Sequence, residues 1–425
     1  MSVAVIGGGY AGMAAAVELV CQGQQVEVFE ASRTLGGRAR AVEMDGGTID
    51  NGQHILLGAY SETLRLMQLV GADPQRLLKR LPLRLEFPGE MRLVAPRLPA
   101  PLHSLGAILF ASGLAWREKF AALHLMYALQ RARFRITPDV SVLTWLEQNE
   151  TPSRQRRLLW EPLCVAALNT PAEHASAQVL ANVIRDSLAA AREASDLLLP
   201  QVDLSAMFPE PAAQFITQHD GVVHRAHRVS GLQRTEQGWL IDGQGPFRQV
   251  VLAVAAYHLA ALVPALRTTV EHFTWEPIVT SYFTYPANVR LPQPMLGIAD
   301  GTAQWLFDRG QLGGPAGLIA AVISARGKHL DLPTAALEQR IHHEISRIAP
   351  SLPAPLRVQT ITEKRATFAC TPNLLRPGMY TGLPGLWLAG DYVASADPAN
   401  NYPATIEGAV RSGVRAARAV LRTAA

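Results

Sequence analysis

Apolar and polar positions change period along the chain. Residues 2–6 form a short apolar run, a glycine-rich stretch follows, and apolar residues then recur at helical spacing from Gly12 to about Cys21. A second apolar run, QVEVFE, ends on Glu30. Strand, glycine loop, helix and strand in immediate succession open a βαβ unit. Residues 61–200 carry a mostly helical pattern with breaks at Pro82, Pro96, Pro99, Pro101 and Pro138. Residues 205–265 differ: GVVHRAHRVSGLQRTEQGWLI reads as two strands joined by polar turn residues, and QVVLAVAAY as a buried strand. PIVTSYFTY and GLIAAVISA read as further strands, 333–348 as a helix, and the chain closes with GLWLAGDY and a helix from about Thr405. This order predicts an α/β protein with a discontinuous layout. A nucleotide domain would be assembled from 1–60, 205–265 and 360–425, and an α+β substrate domain from 61–204 and 266–359.

Composition narrows the class. The 425 residues are 48% hydrophobic and only 17% charged, which predicts large cores with apolar surface left for a greasy ligand or a membrane. The net charge of +4 is carried almost entirely by arginine, dispersed and without aromatic interleaving, so a nucleic-acid partner is not expected. Cys21, Cys164 and Cys370 are far apart and form no CxxC, which fits a reducing compartment rather than a disulfide framework. The first residues enter a strand at once, and no run of about 20 apolar residues is present. A cytoplasmic protein is expected, free or lying on the inner face of a membrane.

The first chemical signal is Gly7-Gly8-Gly9-Tyr10-Ala11-Gly12 between a strand and a helix. In that context Gly7 permits the tight turn, Gly9 lets backbone approach a pyrophosphate, and Gly12 allows helix to pack on strand. Ala11 and its neighbours would offer free N–H groups at the positive end of the helix. Glu30 ends the second strand, where a carboxylate accepts from ribose hydroxyls. Arg33-Thr34-Leu35-Gly36-Gly37-Arg38 follows directly, and Asp50-Asn51-Gly52-Gln53-His54 lies beyond it. Near the end, Gly390-Asp391 places a carboxylate at a strand's C-terminal edge, and Thr405-Ile406 open the last helix toward whatever sits above the sheet.

The GGR after the acidic residue, the 50–54 loop and the G-D followed by an E-G-A helix resemble the flavin amine oxidase and carotenoid desaturase superfamily. The resemblance implies an amine-oxidase-like two-domain flavoprotein with a Rossmann-like FAD-binding domain. FAD would be held by Gly7, Gly9, Ala11, Gly12, Glu30, Arg33, Gly37, Arg38, Gln53, His54, Gly390, Asp391, Thr405 and Ile406. Val223 resembles the position whose backbone meets the adenine. The strings Trp160–Pro171, Gln304–Gly310 and Lys364–Pro372 resemble the squalene-associated FAD-dependent desaturases, known functionally as hydroxysqualene dehydroxylases. That resemblance covers essentially the whole chain. It implies reductive removal of the hydroxyl of hydroxysqualene to give squalene, with a long isoprenoid substrate, a reductase and neighbouring squalene-pathway enzymes as partners. A carotenoid-type desaturase or amine oxidase, and a non-enzymatic FAD-binding scaffold, stand as alternatives.

The catalytic candidates are His54, Glu161 and Asp308, each of which could equally be structural. Trp160, Trp305 and Phe368 are expected in core or pocket wall. His224 and His227, read as strand residues, would point to opposite faces, and adjacent His342 and His343 would diverge; no metal is expected. Residues 101–134 read as an apolar helical hairpin bordered by Arg131, Arg133 and Arg135, suited either to an anionic membrane or to an internal helical pair.

Overall fold

A computed structural model describes residues 2–44 and 47–424. In chain order the elements that position the site begin with β1 (Ser2–Ile6), α1 (Tyr10–Val20) and β2 (Gln25–Phe29). They continue with β3 (Arg84–Phe87), β4 (Met91–Val94), α2 (Leu102–Leu109), α3 (Trp116–Arg131) and α4 (Glu161–Leu168). Then come β5 (Val222–His224), β6 (Gln249–Leu252), β7 (Trp275–Thr284), β8 (Met295–Gly297), β9 (Trp305–Asp308) and β10 (Leu318–Ser324). The last are α5 (Thr334–Ile348), β11 (Arg357–Phe368), β12 (Leu386–Leu388) and α6 (Ile406–Ala424).

The sheet under the nucleotide motifs is parallel, in the order β5-β2-β1-β6-β12. Its strands come from three distant stretches of sequence, and its central strands are buried on both faces, which explains their unbroken apolar runs. α1 packs against α6, and Gly413 makes this crossing possible: a Cβ there would lie 2.0 Å from the Ala11 carbonyl oxygen. The second sheet is antiparallel, in the order β8-β9-β10-β7-β11. One face packs under α5 through Phe283, Ile319, Ile323, Ile341 and Ile345. The other, with Tyr282, Trp305, Phe307 and Val322, belongs to the main core.

Three expectations change. The region read as mostly helical contains strands at Leu78–Leu81, β3 and β4. They are short, and their apolar residues alternate over too few positions to stand out from helical spacing. β11 straddles the expected domain boundary at residue 360 and pairs along its length with β7, so it belongs to the antiparallel sheet. In the segment read as two strands, β5 joins the parallel sheet and the hairpin lies later, at Leu232–Thr235 and Gly238–Ile241. β5 ends at His224, and the chain turns at Ala226 with φ 54°. His224 and His227 therefore do not diverge: both rings pack on Phe29. Among the described residues no helix is long and apolar enough to cross a membrane.

Candidate functional site

A cavity of about 1020 Å³ lies where the C-terminal ends of β1, β2 and β6 meet the antiparallel sheet. That lies at the upper end of the range for small-molecule pockets, and the wall has two characters. One part is glycine backbone and polar groups from the nucleotide motifs. The other is apolar, built from Leu83, Leu85, Leu163, Val183, Leu197 and Leu262 with Met295, Trp305, Phe307 and Val322.

The polar part starts at the glycine fingerprint. Gly7 has φ 112°, and Gly12 packs so tightly on it that a Cβ would lie 1.9 Å from the Gly7 carbonyl oxygen. Gly9 begins α1 with no side-chain cap and no acidic residue in the first turn. The N–H groups of that turn therefore have no side-chain acceptor, which is the donor set a phosphate needs. Glu30 is fixed in place: its Oε2 accepts from Gly8 N–H at 2.6 Å and its Oε1 from Ser32 N–H at 2.7 Å. Two backbone donors orient the carboxylate and leave lone pairs for a ribose.

The glycine-arginine loop is pinned onto the fingerprint, Gly36 N–H donating to Gly8 O at 2.9 Å. A Cβ on Gly37 would sit 3.3 Å from Gly9 Cα, so both backbones stay close to whatever the cavity holds. Arg38 donates from Nη1 to Ala366 O and from Nη2 to Asp391 Oδ2, each at 2.7 Å. Asp391 follows Gly390, and Thr405 and Ile406 complete this end of the cavity. Thr405 Oγ1 accepts from Gly408 N–H at 3.1 Å and so caps α6.

Gln53 and His54 reach the cavity from the 50–54 loop. Gln53 Oε1 accepts from Arg309 Nη1 at 3.1 Å. His54 Nδ1 lies 2.7 Å from Gly52 O, and a carbonyl only accepts, so the proton sits on Nδ1. Burial pushes the imidazole below its ordinary value. His54 is thus neutral near pH 7, with Nε2 as an acceptor rather than a ready proton donor.

Five sequence candidates do not line the cavity: Gly12, which packs behind the turn on Gly7 and Ala253, and Asp308, Glu161, Arg33 and Val223. Asp308 is buried and spent on structure: its carboxylate accepts from Leu291 N–H, Gln311 N–H and Gln311 Nε2. Glu161, on α4, is pushed up by burial and by Glu173 but faces away, while Leu163, Val165 and Ala166 of the same helix reach the wall. Arg33 is exposed, its carbonyl accepting a long 3.5 Å contact from Arg225. Val223 is held within β5 opposite Val28, and the cavity is reached instead by His227, Arg228, Val229 and Ser230. Of the three aromatics, Trp305 lines the cavity while Trp160 and Phe368 are core.

One buried arginine escaped sequence reading, and the glutamate of the E-G-A string has a structural role that the string did not state. Arg376 is buried, and its guanidinium donates to the carbonyl oxygens of Asp391, Tyr392 and Tyr402 while lying 4.7 Å over the Phe368 ring. It ties the Gly-Asp turn to the approach of α6; no local pattern marks it. Glu407 accepts from Glu62 N–H, Thr63 N–H and Thr63 Oγ1, anchoring a distant helix to the start of α6.

The free helix N-terminus, the oriented Glu30 and the Arg38–Asp391 closure fit FAD across the polar part, with the apolar part left for a second molecule. Comparison with known proteins agrees. Residues 10–421 match the family of flavin containing amine oxidoreductases. The chain is 32% identical to a hydroxysqualene dehydroxylase of Rhodopseudomonas palustris, over 99% of this chain and 98% of that protein. It is 30% identical to a hydroxysqualene dehydroxylase of Sinorhizobium fredii, over 98% and 97%. A putrescine oxidase carrying two substitutions superposes with a TM-score of 0.72 at 17% identity, over 99% of both chains, which shows the shared fold. The chain is an FAD-dependent oxidoreductase that belongs to the flavin containing amine oxidoreductase family and, within it, to the hydroxysqualene dehydroxylases.

Proposed function

We propose that the enzyme removes the hydroxyl of hydroxysqualene reductively, giving squalene. The observation that carries this reading is the two-part cavity, in which a continuous apolar wall adjoins the nucleotide cradle. A long hydrocarbon gains from burying its surface there, and no charged group is needed to hold it.

In the net reaction the C–O bond of the allylic alcohol breaks, the oxygen leaves as water with one added proton, and a hydride completes the new C–H bond. Reduced FAD, when bound, supplies that hydride. The chain's own residues do the rest. Glu30, the α1 N-terminus, Arg38 and Asp391 hold the cofactor. The leucines, Met295, Trp305 and Phe307 orient the chain of the substrate and exclude water, which protects a cationic carbon from capture. His54 Nε2 accepts a hydrogen bond from the hydroxyl and positions it; the proton that leaves with the oxygen comes from solvent. Electrons come from a separate reductase, and the substrate from a neighbouring squalene-pathway enzyme.

The test is anaerobic. Photoreduced enzyme is mixed with hydroxysqualene while flavin absorbance is followed and the lipid identified. Reoxidation coupled to squalene is expected. A product with additional double bonds, made only by oxidised enzyme, would identify a desaturase; tight FAD without turnover in either direction would identify a scaffold.

A further inference from the structure

We propose that the outer face of α2 and α3 docks the protein onto an anionic lipid bilayer. Six of the twelve large apolar side chains exposed among the described residues fall between 98 and 127: Leu98, Leu102, Phe110, Trp116, Phe120 and Tyr127. The four aromatics among them are 61–77% exposed. On α3, Trp116, Phe120, Tyr127 and Arg131 fall at i, i+4, i+11 and i+15 and so form one stripe. The opposite side of the helix, with Ala122, Leu125, Met126 and Leu129, is in the core. α3 is therefore apolar on both sides, and folding accounts for only one of them.

The charge within this stretch of sequence is almost all of one sign. From 97 to 135 the cations are Arg97, Arg117, Lys119, Arg131, Arg133 and Arg135, against a single acid, Glu118. Glu118 is buried and accepts from Ala115 N–H at 2.7 Å, so it does not offset the basic rim. Arg135 keeps only a 3.5 Å surface contact to Asp397. Lys119 lies 4.8 Å over the Trp116 ring, with its ammonium held by Leu109 O. Aromatic rings bordered by cations suit the headgroup layer of an anionic membrane.

The charge also selects among occupants. A second copy meeting this face symmetrically would set the same cations against each other, whereas a bilayer bearing phosphatidylglycerol supplies the opposite charge. The face is joined to the cavity wall. Arg92 of β4 exchanges backbone hydrogen bonds with Ser112 in the α2–α3 turn, at 3.1 and 2.9 Å, and β4 pairs with β3, whose Leu85 lines the cavity. The docking goes beyond the proposed reaction and does not rest on it.

Flotation of the full-length, FAD-loaded protein with vesicles of phosphatidylcholine, with and without phosphatidylglycerol, tests it. Wild type is expected to float with the anionic vesicles. Phe110→Asp combined with Phe120→Asp should lower the partition at least tenfold. Arg131→Gln, Arg133→Gln and Arg135→Gln together should lower it about 100-fold, since each cation near an anionic surface contributes about 1 kcal/mol. All changed side chains are exposed, so FAD content and detergent-solubilised turnover should be unchanged. Wild type that fails to float, or variants that float equally well, would overturn the proposal. So would a dimer that the Phe110/Phe120 variant dissociates in the absence of lipid binding. Flotation without squalene formation would leave the docking intact and sink the reaction instead.

Discussion

Arg38 Nη2 donates to Asp391 Oδ2 at 2.7 Å across 353 residues of sequence. The pair joins the glycine-arginine loop to the C-terminal Gly-Asp turn, and both residues line the cavity. The same guanidinium also holds the end of β11 through Ala366 O. One side chain thus joins the glycine-arginine loop, the Gly-Asp turn and the end of β11.

Arg38→Ala should weaken FAD binding at least tenfold, because it strands a largely buried carboxylate; a hydrogen bond to a charged group is worth about 1.5–3 kcal/mol. FAD titration of apoprotein measures it. Since Arg38 and Asp391 act as a unit, Arg38→Ala with Asp391→Asn should cost less than the two single changes added together. Strict additivity would show that the pair is not what closes the site.

Glu30→Ala should also raise the FAD dissociation constant at least tenfold, through loss of the ribose contact and of the acceptor that fixes Gly8 and Ser32. Glu30→Gln keeps an acceptor for one backbone N–H and should fall between wild type and Ala. An unchanged constant in both variants would place the ribose elsewhere.

His54 gives the folded state a pH dependence. Burial lowers its proton affinity, while the unfolded chain binds a proton below about pH 6.5. The unfolded state therefore holds more protons at mildly acid pH. The stability linked to His54 is fully present above about pH 6.5 and is lost as pH falls. His103, His258 and His329 shift in the same direction, so the comparison must be with His54→Gln. The variant should lose less melting temperature than wild type between about pH 7.5 and about pH 5; parallel curves would mean that His54 is solvated.

Asp50 has the opposite sign. Burial pushes its carboxyl up to about 7, although Leu204 N–H donates to it at 2.8 Å. Between the unfolded value of about 3.9 and this raised one, the folded state holds the extra proton, so stability linked to Asp50 declines as pH rises through that window. Asp50→Asn keeps the acceptor for Leu204 and removes the charge. Its melting temperature relative to wild type should climb from about pH 4 to about pH 7 and then level off. A constant difference would mean that Asp50 is ionised throughout.

The residues legible in advance were those whose role is set by backbone geometry over a few positions. Gly7 and Gly9 stand between a strand and a helix, and Glu30 at the next strand's end, so spacing alone carries them to the cavity, with Gly12 packed on Gly7 behind them. Gly390–Asp391 and Thr405–Ile406 are of the same kind. Asp308 misled because an acid in an unusual string looks the same whether it faces a cavity or caps a turn, and only its three N–H partners tell them apart. Val223 misled through a short distance along the chain: the strand ends at His224, and the next turn delivers Val229 instead.

By itself the sequence determined the βαβ opening, the glycine fingerprint with Glu30 at the next strand's end, the strand-then-helix end and the family, because each is written in contiguous residues. It also showed the apolar stretch 101–134 bordered by Arg131, Arg133 and Arg135. Tertiary structure alone decided that Arg38 meets Asp391, that Arg376 gathers three carbonyls, and that Leu85, Leu163, Leu262 and Trp305 form one apolar wall. It alone turned the α3 aromatics outward. These relations join residues far apart in the chain through the packing of one sheet against another. Such packing follows from the burial of whole faces, and it leaves no period or spacing in any one segment from which its partner could be read.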